Sequence, residues 1–151
     1  MDKKTLLVKE WLAKAEHDLG MAQLALEHKG EYTDSICFHC QQYVEKILKG
    51  YLTCLDMDFS KSHSLVYLMD MIAVKEKVSE ELYSIAELLD DYAVGIRYPG
   101  NCYEPTKEDA TNAYDAALKI KNTIYLHIRK YLISRNLNTK KDNLKGREMD
   151  F

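Results

Sequence analysis

Proline is nearly missing from this chain, and its two occurrences decide where helices must stop. Pro99 and Pro105 both fall in one stretch, "PGNCYEP", and no other proline occurs in the 151 residues. Proline removes a backbone donor and clashes with the preceding turn, so the chain before and after this stretch is free to be helical.

The apolar residues use that freedom. From Val8 to Leu26 they fall at Val8, Leu12, Ala15, Leu19, Ala22 and Leu26, the alternating steps of four and three that give a helix one buried stripe. "HKGEYTDS" then supplies a glycine stop, with Thr33 or Asp34 as the expected cap, and the spacing resumes at Ile36, Cys40, Val44, Ile47, Tyr51 and Leu55. "DMDFSKSHS" reads as a serine-capped linker into a short helix carrying Leu65, Leu68, Met69 and Ile72. A fourth helix is expected from about Ser79, presenting Leu82 through Ile96 and ending before Pro99. Thr106 caps a long last helix whose stripe runs from Ala110 to Tyr131. No segment alternates apolar and polar residues as a strand does. The sequence therefore predicts an all-α protein, an antiparallel four-helix up-down bundle with one short extra helix, occupying residues 1–135. Residues 136–151, "NLNTKKDNLKGREMDF", lose the stripe and read as a polar, mobile tail.

Charge narrows the function. A net charge of −3, with 30% of residues charged and both signs represented, lacks the overall basic excess of a protein that coats nucleic acid, although a local basic site is compatible with it. Lys and Glu interrupt the apolar positions of the N-terminal segment, and no later segment is long and apolar enough to span a bilayer. The expectation is a cytoplasmic protein without membrane contact. The scattered glycines form no phosphate loop, which argues against an NTPase or a dehydrogenase.

Cys37 and Cys40 stand in a Cys-x-x-Cys, but on a predicted helix rather than where a strand feeds one, and without a second ligand pair. They read as small core residues, with no metal or cofactor expected; a thiol activated by its closeness to the helix start is the lesser alternative for Cys37. On the same helix His39, Gln42, Lys46 and Lys49 form a polar line, with Glu45 four residues before Lys49. By periodicity alone that line reads as a solvated face.

Four segments in order, "AEHDLGMAQLAL", "YTDSICFHCQQYVEKILKGYL", "FSKSHSLVYL" and "DDYAVGIRYPG", resemble the successive signatures of HEPN domains, small helical bundles found alone or beside minimal nucleotidyltransferases. The resemblance covers about residues 8–135. It implies a homodimer and an association with nucleotide binding, RNA cleavage or toxin–antitoxin pairing with a nucleotidyltransferase partner. Ribonuclease members carry an Arg followed after four to six residues by a His. Here Arg97 is followed at those distances by Cys102, Tyr103 and Glu104, and no other arginine meets the spacing. The reading is thus a non-catalytic module binding a nucleotide, RNA or another phosphate-bearing ligand, or a protein partner, with the ribonuclease toxin as the alternative.

The candidate ligand site gathers Arg97, Tyr98, His39, Lys46, Asp18 and His63. Arg97, beside the turn "RYPG", offers a guanidinium fork to phosphate or to Asp18, a carboxylate beside the first apolar stripe that wants a cation. Tyr98 or Tyr43 would stack on a base. His63 heads the short helix, where a cap or a surface residue is the simpler reading. Trp11, Tyr114 and Tyr125 lie beyond one stripe per helix and are read as material for the dimer contact.

Overall fold

The computed structural model describes the backbone of residues 2–96 and 104–149 and the side chains of residues 2–93 and 104–136. Five helices follow one another: α1 (Lys3–His28), α2 (Thr33–Cys54), α3 (Leu65–Ala73), α4 (Glu80–Ile96) and α5 (Lys107–Met149). Side-chain pairs fix their directions. Asp18 meets His39 and Lys46, and Trp11 meets Gly50, so α1 and α2 are antiparallel. Glu16 meets Tyr125 while Asp2 meets Arg135, and Tyr92 meets Asp109 while Glu81 meets Lys119, so α5 runs against both α1 and α4. The four long helices alternate up and down, with α3 as the short extra one.

The helix ends follow local chemistry. Ser64 accepts from the Tyr67 amide at 3.2 Å and Ser79 from the Leu82 amide at 3.2 Å. Thr106 and Asp109 cap each other reciprocally, at 3.0 and 2.9 Å, in the arrangement of a capping box. The start of α2 differs from expectation. Its N-cap position is Tyr32, with no side-chain cap, while Thr33 is buried inside the first turn and Asp34 accepts from the neighbouring Ser35 amide.

α2 is the centre of the molecule, touching each of the other four helices. Its apolar face, including Ile36, Tyr43, Val44, Ile47 and Leu48, is wholly buried. Gly50 favours close approach: a Cβ there would sit 3.3 Å from the Trp11 Cβ, tighter than ordinary contact. Trp11, Tyr114 and Tyr125, which sequence assigned to a dimer contact, are half-buried, and the two tyrosines pack against the core. The backbone of α5 remains helical beyond Asn136 to Met149, past the end of the stripe. Among the described residues no helix is long and apolar enough to cross a membrane.

Candidate functional site

Asp18 is the residue around which the polar side of α2 is organised. It sits on the inner edge of α1 with a side chain only 10% exposed, where an ionised carboxylate needs charged partners. Two come from α2, one turn above and one turn below the point of contact. His39 Nδ1 lies 2.9 Å from Asp18 Oδ1, and Lys46 Nζ donates to Asp18 Oδ2. A carboxylate can only accept, so His39 carries its proton on Nδ1 and leaves Nε2 for another partner. Both side chains are about a quarter exposed. The result is a half-open site in which one carboxylate orients an imidazole and an ammonium side by side.

The rest of the polar line is not a solvated face. Glu45 and Lys49 are buried, 3.5 Å apart, and Lys49 Nζ lies over the rings of Trp11 and Phe59 at 5.7 and 5.9 Å. His63 Nδ1 reaches Glu45 Oε1 at 2.8 Å. The carbonyl of His63 accepts from Gln41 Nε2 at 2.7 Å, and Gln41 Oε1 accepts in turn from Gln42 Nε2 at 2.9 Å. Asp90 of α4 holds the start of α3, accepting from the Leu65 amide at 2.9 Å, the Val66 amide at 3.2 Å and the Ser64 hydroxyl at 3.2 Å. His63 is therefore neither the cap of α3 nor a loose surface residue. Ser64 and Asp90 do the capping, and His63 is tied down at both its backbone and its ring.

Three of the candidate residues, His39, Lys46 and Asp18, meet in the structure, while the cation that sequence offered to Asp18 was Arg97. The Asp18 oxygens are engaged by His39 and Lys46; Arg97 and Tyr98 lie outside the described residues. Tyr43 cannot stack on a ligand, being fully buried, and burial together with the Tyr125 hydroxyl raises its phenol well above the ordinary range. Phe38 was missed. It is half-buried next to His39, with its ring edge-on to the imidazole at a centroid distance of 5.4 Å, and an isolated Phe beside a buried stripe gives no signal to set it apart. Cys37 and Cys40 are fully buried, and desolvation pushes the Cys37 thiol up to about 12, which overturns an activated thiol there: withdrawal from water outweighs any benefit from the helix start. Among the described residues no group of three or more potential metal ligands occurs.

A separate depression of about 440 Å³ is lined by Lys4, Trp11, Asp56, Asp58 and Phe59 at the far end of α2. Its two aspartates make it the poorer place for an anion, and its aromatic pair already covers Lys49.

An up-down bundle whose central helix carries a histidine and lysines on a half-open polar flank defines a class of small all-helical domain. The model of the HEPN domain matches residues 8–128, and the chain belongs to that family. Two solved structures are similar over 80% of this chain and 97% of their own. One is an archaeal HEPN homologue, ST0689, with 29% identity and a TM-score of 0.65; the other is TT1696 from Thermus thermophilus, with 30% identity and a TM-score of 0.69. A comparison with curated proteins finds no match.

Proposed function

We propose that this protein is a HEPN module that binds a phosphate-bearing ligand, a nucleotide in the first instance, through His39 and Lys46, with Asp18 as the residue that positions both. The observation that carries the reading is one carboxylate holding an imidazole and an ammonium together at a half-open site. A single cation would neutralise Asp18; the second leaves a net positive charge whenever the imidazole is protonated, and Lys46 retains two further ammonium hydrogens to donate. Arg97 and Tyr98, directly after α4, remain proposed contributors of a guanidinium fork and an aromatic ring.

A thermal-shift screen of nucleotides followed by calorimetry tests this. Lys46→Ala and His39→Gln should each weaken binding by about 1.5–3 kcal/mol, the range for a hydrogen bond to a charged group, while Lys140→Ala should scarcely matter. Unchanged affinity in a Lys46→Ala variant that is merely less stable would reduce the cluster to a fold contact.

One observation keeps the ribonuclease alternative open: the carboxylate-oriented imidazole of His39 has the arrangement that acid–base chemistry uses. Cleavage of a fluorescent RNA by the wild type, abolished in His39→Gln, would favour it over simple binding. The partner half of the reading, a homodimer or a minimal nucleotidyltransferase, draws on family membership. Its physical support is an exposed line on α1 containing Leu6, Ala13, Gly20 and Leu24. Light scattering at micromolar concentration, alone and with a candidate nucleotidyltransferase, decides between monomer, dimer and complex.

A further inference from the structure

We infer that the depression where the start of α1 meets the end of α2 is a site for a small quaternary ammonium ligand, held against the rings of Trp11 and Phe59 and by the carboxylate of Asp58. It shares no lining residue with the site at His39 and Lys46.

The charges around the depression fix the sign of the ligand. Lys4 Nζ lies 2.7 Å from Asp56 Oδ1, and the two cancel. Lys49, which is buried and lies over both rings, is matched by Glu45 at 3.5 Å, so the aromatic pair does not face an uncompensated cation from within. Asp58 is exposed and makes no hydrogen bond or ion pair among the described residues. One negative charge is left over, and a monocation completes the set.

The walls decide which kind of cation. Leu7, Trp11, Met57 and Phe59 supply carbon, and the planes of Trp11 and Phe59 are inclined by 60° with centroids 6.3 Å apart, so the rings form two walls of the recess rather than one flat surface. An aromatic face attracts a cation through its quadrupole and needs no hydrogen bond to do so. A primary ammonium brings N–H groups that each want an acceptor. Few acceptors are available: the Thr53 hydroxyl donates to the Lys49 carbonyl at 2.8 Å, Asp56 is engaged by Lys4, and Asp58 is the carboxylate without a partner. A trimethylammonium group has no N–H to satisfy, and it spreads its charge over methyl groups that pack on carbon. The volume of about 440 Å³ lies in the range of small-molecule sites.

Trp11 is the only tryptophan of the chain, so its fluorescence reports on this recess. The test titrates choline and its uncharged carbon isostere, 3,3-dimethylbutan-1-ol, into the full chain at constant ionic strength. Choline should change the emission saturably and bind about tenfold more tightly than the isostere, the scale of a partly desolvated cation–π contact. Asp58→Asn, at an exposed side chain, should weaken choline several-fold and leave the isostere unchanged. Phe59→Leu, which keeps an apolar wall but removes a ring face, should weaken choline more than the isostere. The inference is overturned by the absence of a saturable response in the millimolar range, by equal binding of the isostere, or by an advantage for choline that either substitution leaves intact.

Discussion

The two carboxylate clusters around α2 are built from the same kinds of group and differ in who supplies the carboxylate and how much water reaches it. Asp18 comes from the neighbouring helix, and its partners His39 and Lys46 are a quarter exposed. Glu45 belongs to α2 itself and is sealed beneath the loop that carries Phe59 and His63, with Lys49 only 9% exposed at the side chain. In the first cluster the charges can be shared with a ligand at small cost. In the second, carboxylate and ammonium are committed to each other, because separating them in a poorly hydrated place costs several kcal/mol, and only the imidazole remains exposed. A charged residue's role on a central helix is thus set by what lies over it rather than by its position in the pattern.

The largest effect should come from Glu45→Ala, which strands Lys49. A loss of about 3–5 kcal/mol in urea unfolding is expected for a buried pair broken on one side. The double variant Glu45→Ala with Lys49→Met should recover much of it. A loss under about 1 kcal/mol would mean that the pair is hydrated like a surface ion pair, and the contrast between the clusters would collapse.

Alkali probes how well the opposite, apolar face of α2 excludes water. Burial raises the Cys37 and Cys54 thiols from an ordinary 9.0 to about 12, and the Tyr51 phenol from 10.0 to about 12. Groups whose acidity is suppressed by folding hold their protons longer in the native state than in the unfolded one. Their contribution is therefore fully present below about pH 9 and is lost as pH climbs from there toward 12. For Cys37, which is fully buried, the loss by pH 12 is up to about 4 kcal/mol. Unfolding midpoints that stay flat between pH 9 and 11, or rapid alkylation of native Cys37 at pH 8, would contradict this.

Asp18→Asn should cost less, about 1–2 kcal/mol, because Lys46 and His39 are exposed enough to regain water when the carboxylate charge is removed. A cost equal to that of Glu45→Ala would place Asp18 in the same sealed environment and weaken its assignment to a ligand site. The smallest effect is expected from His63→Gln. With Glu45 still paired to Lys49, its stability should change by less than about 0.5 kcal/mol. A loss of several kcal/mol would make His63 a structural member of the buried cluster.

The order and directions of the helices were legible in the sequence because two signals agree. Proline is confined to one stretch, and the apolar residues recur at helical steps on either side of it. The starts at Ser64, Ser79 and Thr106 were legible for a similarly local reason, since a hydroxyl at a helix start acts on amides two or three residues away. Asp18, His39 and Lys46 could be named as candidates, but no local rule joins residues 18, 39 and 46. Their meeting depends on the antiparallel approach of α1 to α2, which Gly50 permits.

Burial was decided by tertiary structure alone. Gln41, Glu45 and Lys49 recur at steps of four just as residues on a solvated face would, and only the arrival of Trp11, Phe59, His63 and Asp90 from three other parts of the chain makes that line an interior one. Periodicity tells which residues share a side of a helix; it carries no information about how many neighbours that helix will have. α2 has four, so almost no side of it is left to the solvent, and the residues that still reach water are the ones available for a ligand.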